Sequence, residues 1–493
     1  MSTEAPAPAA ATGPAAATGP AAAATGPGGD GGATPEAPVT PEVAVTGEPA
    51  PPVPARARID LLCDEDTFLA HRSESGDGVI AGSGKVGGRT IYLWAQNVKH
   101  KGGSLGRLGG EQIVSTIEMA DRAGVPVVGL LTSGGARLQE GVAALGAYAS
   151  IFRATSRARV PQISVVYGPC AGGAAYSPAL GTLVMMVGEG AQMFLTGPRV
   201  IKRVTREEIS AADLGGHRVH RKTGVSHMEA EDDASAANLT RQALSYFPGH
   251  VGGPLPSVQP REAPAGDPSA TVPLNQRLVY DVRDVARQLL DGGEFLELAA
   301  LWAKNMVVGL GRVEGHSVGV IANQPRHLGG VLDAAASDKG TWFVEMCDRF
   351  GIPMVVLSDT PGYRPGVRQE HEAVLRRGAN LLRAFSVAEV PRVTVTLRQA
   401  YGGAHIVMNC RDLGHDLTLA WPGARIGVMG ATQAIEIVNR RELEAGADPA
   451  RLAAAYEEQY LPVAVAAASG QIDEIVSPVD TRARIAAHFQ ARR

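Results

Sequence analysis

Apolar and polar positions along this chain switch between two periods. Short β-branched runs predict buried strands: Ile163-Ser164-Val165-Val166 after Pro161, and Val393-Thr394-Val395-Thr396-Leu397 after Pro391. Between such runs the apolar residues fall at helical spacing. Ile113, Ile117 and Ala120 share one face of Gly110–Ala123, and Phe343, Val344, Met346 and Cys347 come together within Gly340–Phe350. Alternating strand and helix units predict an α/β fold in which helices cover the sheet.

The pattern occurs twice. Gly84-Lys85-Val86-Gly87-Gly88 is echoed by Gly311-Arg312-Val313-Glu314-Gly315, and Gly124-Val125-Pro126-Val127-Val128-Gly129-Leu130 by Gly351-Ile352-Pro353-Met354-Val355-Val356-Leu357. Leu61-Leu62-Cys63-Asp64 is echoed around Leu289-Leu290-Asp291, and Ala171-Gly172-Gly173-Ala174 by Tyr401-Gly402-Gly403-Ala404. The offsets stay between about 227 and 230 residues, so the register holds across nearly a whole half. The chain therefore reads as two copies of one domain, 56–247 and 274–493. A Pro/Gly-rich linker, 248–273, joins them.

Composition adds a tail and removes several function classes. Residues 1–55 are Ala, Pro, Gly and Thr with a few acids and no aromatic residue, a composition expected to stay disordered. A net charge of -4 gives no basic field for nucleic acid. No run of eighteen apolar residues predicts a membrane span, and no Lys or Arg precedes Arg56 to form a targeting segment. Cys63, Cys170, Cys347 and Cys410 are scattered without a Cys-x-x-Cys pair, which fits reduced thiols in the cytoplasm rather than a zinc ribbon.

Candidate chemistry sits in glycine-rich loops after strands. One is Gly102-Gly103-Ser104-Leu105-Gly106, before the helix at Gly110; a second is Ser133–Gly141, with its partner at Asp359–Gly366; the others are the two Gly-Gly-Ala turns. Adjacent glycines let backbone N–H groups approach a ligand closely, and such donors stabilise an oxyanion. Taken singly, a Gly-Gly after a strand is more often only a tight turn. No Walker A sequence is present, and Ser133 is not in a Gly-x-Ser-x-Gly elbow. The twelve histidines show no ligand spacing and read mostly as surface or linker residues. Glu140 and Asp359 read as loop carboxylates, solvated or capping. Backbone oxyanion stabilisation is the chemistry that remains.

Taken together, these residues resemble the carboxyltransferase (β) subunits of biotin-dependent acyl-CoA carboxylases. The resemblance covers about Arg58 to Arg484 and rests on Ser133–Gly141, Gly168–Ala174, Met193-Phe194-Leu195-Thr196-Gly197-Pro198, Ala322-Asn323-Gln324-Pro325 and Ala420-Trp421-Pro422. It implies a duplicated crotonase-like ββα superhelix, with acyl-CoA on the N-terminal copy and biotin on the C-terminal copy of a neighbouring subunit. Gly172 and Gly173 match one oxyanion pair, and Gly403 and Ala404 the other. Ser133, Gly134, Gly135, Ala136, Arg137, Ala171, Tyr401, Gly402, His405 and Ile406 would contact substrate. The reaction implied is transfer of CO2 from carboxybiotin to the α-carbon of propionyl-CoA or a larger acyl-CoA. No metal is expected on this chain.

No Ala-Met-Lys-Met biotinylation sequence and no ATP-binding module occur here. The resemblance therefore implies a separate α subunit that carries biotin and uses ATP and Mg, around a homo-hexamer of this chain. A decarboxylase subunit and a weakly catalytic assembly paralogue are the alternatives. Departures from the family pattern are Thr132 for Asp, Gln399 for Lys, His405 for Tyr, Ile406 for Asp, Gly329 for Ala and Gly340-Thr341-Trp342 for Ala-Ala-Arg. Ile406 is the most informative of these, since it directly succeeds the second turn.

Overall fold

Each half opens its sheet with a hairpin tied in the same way. β2 (Val79–Val86) and β3 (Arg89–Gln96) pair antiparallel around Gly87-Gly88, as do β10 (Met306–Val313) and β11 (His316–Asn323) around Glu314-Gly315. All four turn residues have positive φ, and a carboxylate accepts both turn N–H groups in each case. Asp64 accepts from Gly87 and Gly88 at 3.0 and 2.8 Å, and Asp291 from Glu314 and Gly315 at 3.0 and 2.7 Å. Asp291 lies 227 positions after Asp64, so the repeat read in the sequence is a repeat in space.

The computed structural model describes residues 54–71, 77–276, 278–414 and 416–492. The expected disordered tail lies outside the described residues except for Pro54 and Ala55, which lead into the helix Ala55–Leu62.

The remaining strands of the first sheet are β1 (Leu69–Ala70), β4 (Val127–Ser133), β5 (Gln162–Ala171), β6 (Leu183–Val187), β7 (Gln192–Phe194) and β8 (Met228–Ala230). Those of the second are β9 (Leu296–Leu298), β12 (Met354–Thr360), β13 (Arg392–Tyr401), β14 (Leu417–Ala420), β15 (Arg425–Gly427) and β16 (Glu474–Ile475). The orders match: β1-β2-β3-β4-β5-β6-β8 with β7 on β5, and β9-β10-β11-β12-β13-β14-β16 with β15 on β13. From β3 and β11 onward neighbouring strands are parallel, so helices must cross over between them. β4, β12 and β13 are buried along their whole length, polar residues such as Thr394, Thr396 and Arg398 included.

Three boundaries differ from the sequence reading. The helix expected from Gly340 starts at Ala334, because Asp333 caps it through the Ala336 N–H at 2.9 Å. β13 runs on through Arg398, Gln399 and Ala400 to Tyr401, all buried. β12 likewise includes Asp359, which is therefore a strand residue with no solvent exposure rather than a loop carboxylate. A sheet neighbour on each side, not the local glycines, decides where these strands end.

The two halves share one apolar core cluster, with Val128, Ile163 and Met185 from the first and Phe343, Cys347 and Phe350 from the second. Along this seam Arg349 donates to the Ala158 carbonyl at 2.7 Å, and Phe247 meets Phe350 edge-on at 5.3 Å. Lys339 is fully buried, and its ammonium donates to the carbonyls of Ala299, Trp302 and Met306 at 2.9, 2.8 and 2.7 Å. Burial pushes its pKa down to about 7, but three carbonyls match the three donors that only the charged form offers.

His227 also lies on the seam, stacked on Trp342 with ring centroids 4.2 Å apart. The expectation that the histidines are mostly surface or linker residues misses this one, which the neighbouring half covers. Its Nδ1 accepts the Val184 N–H at 3.0 Å, so the ring is neutral, and burial pushes its pKa down from 6.5 to about 3. Between those values the unfolded chain holds a proton that the folded chain does not, and stability falls as pH drops from 6.5 toward 3. Urea unfolding at pH 7.5 and 5.0 should show the native chain losing ~2 kcal/mol more than His227→Gln. Equal losses in both proteins would remove His227 from the acid limb.

Candidate active site: two matched turns

In both sheets the central parallel pair carries the same irregularity. β4 and β5 are in register at Leu131↔Val166 and again at Ser133↔Cys170, so Thr132 alone stands opposite Tyr167, Gly168 and Pro169. In β12 and β13 the register passes from Ser358↔Thr396 to Thr360↔Ala400, and Asp359 alone faces Leu397, Arg398 and Gln399. Extra residues on one strand bend it and re-aim the backbone beyond them. Here that backbone is the turn: Gly172 at φ 59° before the helix Gly173–Leu180, and Gly402 at φ 58° opening the helix Gly402–Val407. An L side chain avoids that region, which is why glycine stands at both positions.

The Gly172 N–H donates to the Phe194 carbonyl at 2.9 Å, so it belongs to the sheet. Of the expected pair Gly172 and Gly173, the first N–H is thus engaged, and the next along the helix are those of Gly173 and Ala174. These lie 230 positions before Gly403 and Ala404, so the two pairs now correspond one to one. First-turn N–H groups have no partner within their helix, and no side chain caps either helix. Both turns thus present backbone donors with the helix dipole behind them.

Around the first turn, Gly135 (φ 91°) packs so closely that a Cβ there would lie 2.8 Å from the Ala171 carbonyl oxygen. Ser133, expected to touch substrate, is instead fully buried. Its hydroxyl contacts the Gly103 carbonyl at 2.9 Å and the Tyr148 hydroxyl at 3.2 Å, and it accepts the Gly135 N–H at 3.2 Å. The Tyr148 ring lies under Gly173, where a Cβ would come within 2.8 Å of it. Ser133 and Tyr148 therefore form a strut joining three backbone segments. Burial pushes the Tyr148 pKa up to about 12, so the strut stays neutral.

Arg137 is buried as well. Its guanidinium donates to Asp77, Glu140 and the Ser104 carbonyl at 2.6, 2.7 and 2.7 Å, and Glu140 also caps the helix Arg107–Ala123 by accepting the Arg107 N–H at 2.7 Å. Gly134, Ala136 and Arg137 line a cavity of ≈ 690 Å³ with Lys101, Ser104 and Leu138.

Around the second turn a tyrosine again lies below the glycine, but it arrives from another element. Tyr363, on the loop after β12, passes 3.9 Å from where a Gly403 Cβ would be, and its hydroxyl lies 2.7 Å from where a Gly378 Cβ would be. In the first half the position matching Tyr363 is Ala136, and the position matching Gly378 is Tyr148. The two halves therefore fill the same space from opposite sides. Tyr401 is buried and Gly403 exposed. His405 is half-buried with its pKa held below 6.5 by burial, and Ile406 is 45% exposed. The sequence reading assigned no role to Tyr148, Lys101 or Tyr363, although Tyr363 lies in the Gly-rich loop after β12 and Lys101 beside Gly102-Gly103; laying one half over the other exposes the Tyr148–Tyr363 exchange.

A family model described as the carboxyl transferase domain matches residues 54–493. The propionyl-CoA carboxylase beta chain of Saccharopolyspora erythraea is 45% identical over 469 residues, 88% of this chain and 86% of that protein. The biotin-dependent acetyl-/propionyl-coenzyme A carboxylase beta5 subunit of Mycobacterium tuberculosis is 42% identical, covering 87% of this chain and 85% of its own. Among solved structures, the transcarboxylase 12S hexamer with methylmalonyl-coenzyme A and methylmalonic acid bound matches with a TM-score of 0.85. It is 40% identical and covers 89% of both chains.

The strut predicts a local effect. Tyr148→Phe keeps the ring under Gly173 and removes one buried hydrogen bond, a loss of about 0.5–1.5 kcal/mol. Hydrogen exchange should rise in 133–136 and 172–175 while 402–407 keeps its native rate. Unchanged exchange at 133–136 and 172–175 would show that the hydroxyl carries no such role.

Proposed function

This chain belongs to the carboxyl transferase family, and we propose that its two halves divide the transfer of CO2 to the α-carbon of an acyl-CoA. It is the carboxyltransferase subunit of a biotin-dependent acyl-CoA carboxylase, and its relatives favour that reading over a decarboxylase subunit or an assembly paralogue. The observation that carries the reading is the pair of corresponding turns, each opening a helix whose first-turn N–H groups no side chain caps.

Acyl-CoA lies on the N-terminal half in this reading, and the charge distribution supports it. The helix after the first turn, Pro198–Val204, carries Arg199, Lys202 and Arg203, whereas its counterpart Ala431–Val438 carries only Glu436. A polyanionic CoA suits the first; the uncharged ureido ring of biotin suits the second, where Gly403 is open above Tyr363 and beside Ile406. Gly173 and Ala174 hold the thioester oxygen as it gains charge on loss of the α-proton, a role worth several kcal/mol in a site shielded from water. Gly403 and Ala404 hold the ureido oxygen. Gly134, Ala136 and Arg137 form the wall of the acyl-CoA cavity, with Ser133, Ala171 and Gly172 supporting it from below; Tyr401, Gly402 and His405 support the second turn. Biotin, brought on another chain, supplies the carboxyl group and the base.

A second copy of the chain completes the site. Leu145 and Leu375, Tyr176 and Ile406, and Leu195 and Val428 occupy corresponding places, and all six are between 45% and 81% exposed. Matched apolar faces beside both turns favour docking of one subunit's first half on its neighbour's second half, within a homo-hexamer. The biotin carrier and the ATP- and Mg-using carboxylase belong to a partner α subunit. Domains 56–247 and 274–493 with the linker 248–273, and a cytoplasmic setting for the four free, buried cysteines, go with this reading.

Ile406 sets acyl preference in the same picture, because an apolar side chain there rewards added methylenes by only ~1–3 kcal/mol each and so grades the choice. With its α subunit the enzyme should carboxylate butyryl-CoA or a branched acyl-CoA at rates comparable to propionyl-CoA. Ile406→Asp should shift kcat/KM toward the shorter acyl groups by about tenfold or more. Exclusive use of acetyl-CoA would refute the role of Ile406, and no transfer to any acyl-CoA would refute the function. Gly172→Ala, forced into a positive φ, should lower kcat by about 100-fold or more through the misplaced donors.

A further inference from the structure

The bulge that aims each turn is held differently in the two halves. In the first it is closed without charge: Thr132 packs its methyl against Gly168, where an added Cβ would lie 2.7 Å away. In the second the same two positions, 227 and 230 residues on, are Asp359 and Arg398. Their side chains are 0% and 5% exposed, and the Arg398 Nε lies 3.1 Å from the Asp359 Oδ2. Tyr280 donates its hydroxyl to that oxygen at 2.7 Å, and its ring lies 5.3 Å from the guanidinium. Arg398 also donates to the carbonyls of Asn275 and Leu278 at 3.3 and 2.7 Å, and the Asp359 N–H donates to Asn323 at 3.1 Å. The pair therefore spans the bulge and ties it to β11 and to the segment before the helix Val282–Leu289.

A buried ion pair is a poor source of stability, because desolvation of both charges offsets their attraction. Burial pushes the Asp359 carboxyl up from 3.8 to about 6, against the lowering effects of Arg398, Tyr280 and Gln399. Between those values the folded chain binds the proton and the unfolded chain does not, so stability falls as pH rises across that window. The first half closes the same bulge without that cost. Charge is thus retained in the second half where folding alone does not require it, four residues before the turn at Gly402.

We propose that Asp359 and Arg398 are positioning residues that set the direction of the Gly402-Gly403-Ala404 turn and of its N–H donors. This rests on the reading of that turn as the biotin side of the carboxyltransferase. The charged and titratable groups around Asp359 are Arg398 and Tyr401 on β13, Tyr280 before the helix, and Arg425 on β15 beyond Tyr401. Protonating Asp359 frees Arg398, and the strand end loses its staple; the donors drift while the fold persists.

The test uses the full chain with its α subunit and four variants: Asp359→Asn, Asp359→Thr, Arg398→Gly and the double change Asp359→Thr/Arg398→Gly, which installs the first half's solution. Asp359→Asn should lower kcat by about 10- to 100-fold, the range for a misplaced catalytic donor. KM for acyl-CoA should stay within about twofold, since the first half holds that substrate. The parent's kcat should fall as pH drops through about 6, and Asp359→Asn should lack that limb. Either single Thr or Gly change strands a buried charge, so the double variant should exceed both in kcat by about tenfold or more. Independent of turnover, hydrogen exchange at 399–407 should rise in Asp359→Asn and stay native at 168–176. Native exchange at 399–407 in Asp359→Asn, a parent-like kcat and pH profile, or a double variant no better than the worse single would overturn the proposal. A parent inactive with every acyl-CoA but showing the exchange change would refute the function and leave the staple standing.

Discussion

The structure depends on one packing constraint: a parallel strand pair, buried on both faces, must end beside a helix whose first N–H groups stay open. Burial along β4, β12 and β13 encloses their side chains, the charged Asp359 and Arg398 included, and leaves none free to act at their ends. Backbone groups are then the polar atoms left at the strand ends. The bulge before each turn reconciles the two demands. It lets the sheet close while swinging Gly172 and Gly402 clear of it.

Duplication made this solution twice, and the copies then diverged in their supports. The first turn rests on neutral groups: Tyr148 from a helix, Ser133 from β4, and Thr132 against Gly168. The second rests on Tyr363 from a loop and on the buried Asp359, Arg398 and Tyr280. The tyrosine exchange conserves space: Tyr148 with Ala136 in the first copy matches Gly378 with Tyr363 in the second. Close packing tolerates such exchanges when the filled volume is unchanged. The halves come to differ in charge at the bulge as a result.

The seam between the halves has its own supports, which the site does not share. Lys339 satisfies three carbonyls of the loop that leads from β9 into β10, and Arg349 reaches across to the Ala158 carbonyl. His227 keeps its ring neutral by accepting a backbone N–H, and Trp342 covers it. Trp342, a departure from the family pattern in the sequence, has a local role here as the lid on a buried histidine. These groups fix one half against the other within a chain, whereas the exposed Leu145, Leu375 and Val428 remain for a neighbour.

By itself the sequence determined the alternation of strand and helix, the duplication and its register, and the two Gly-Gly-Ala turns. All of these are local: side-chain periodicity and glycine's access to positive φ act within a few residues of chain. It did not show that Ser133 and Arg137 are buried, nor that Asp359 is a strand residue rather than a loop carboxylate. Nor did it show that the Gly172 N–H is already engaged. Each of those depends on partners far along the chain, such as Asp77 for Arg137, Tyr280 for Asp359 and Phe194 for the Gly172 N–H. A motif shows which residue types are present. Only the tertiary structure decides which polar atoms already have partners, and therefore which remain for chemistry.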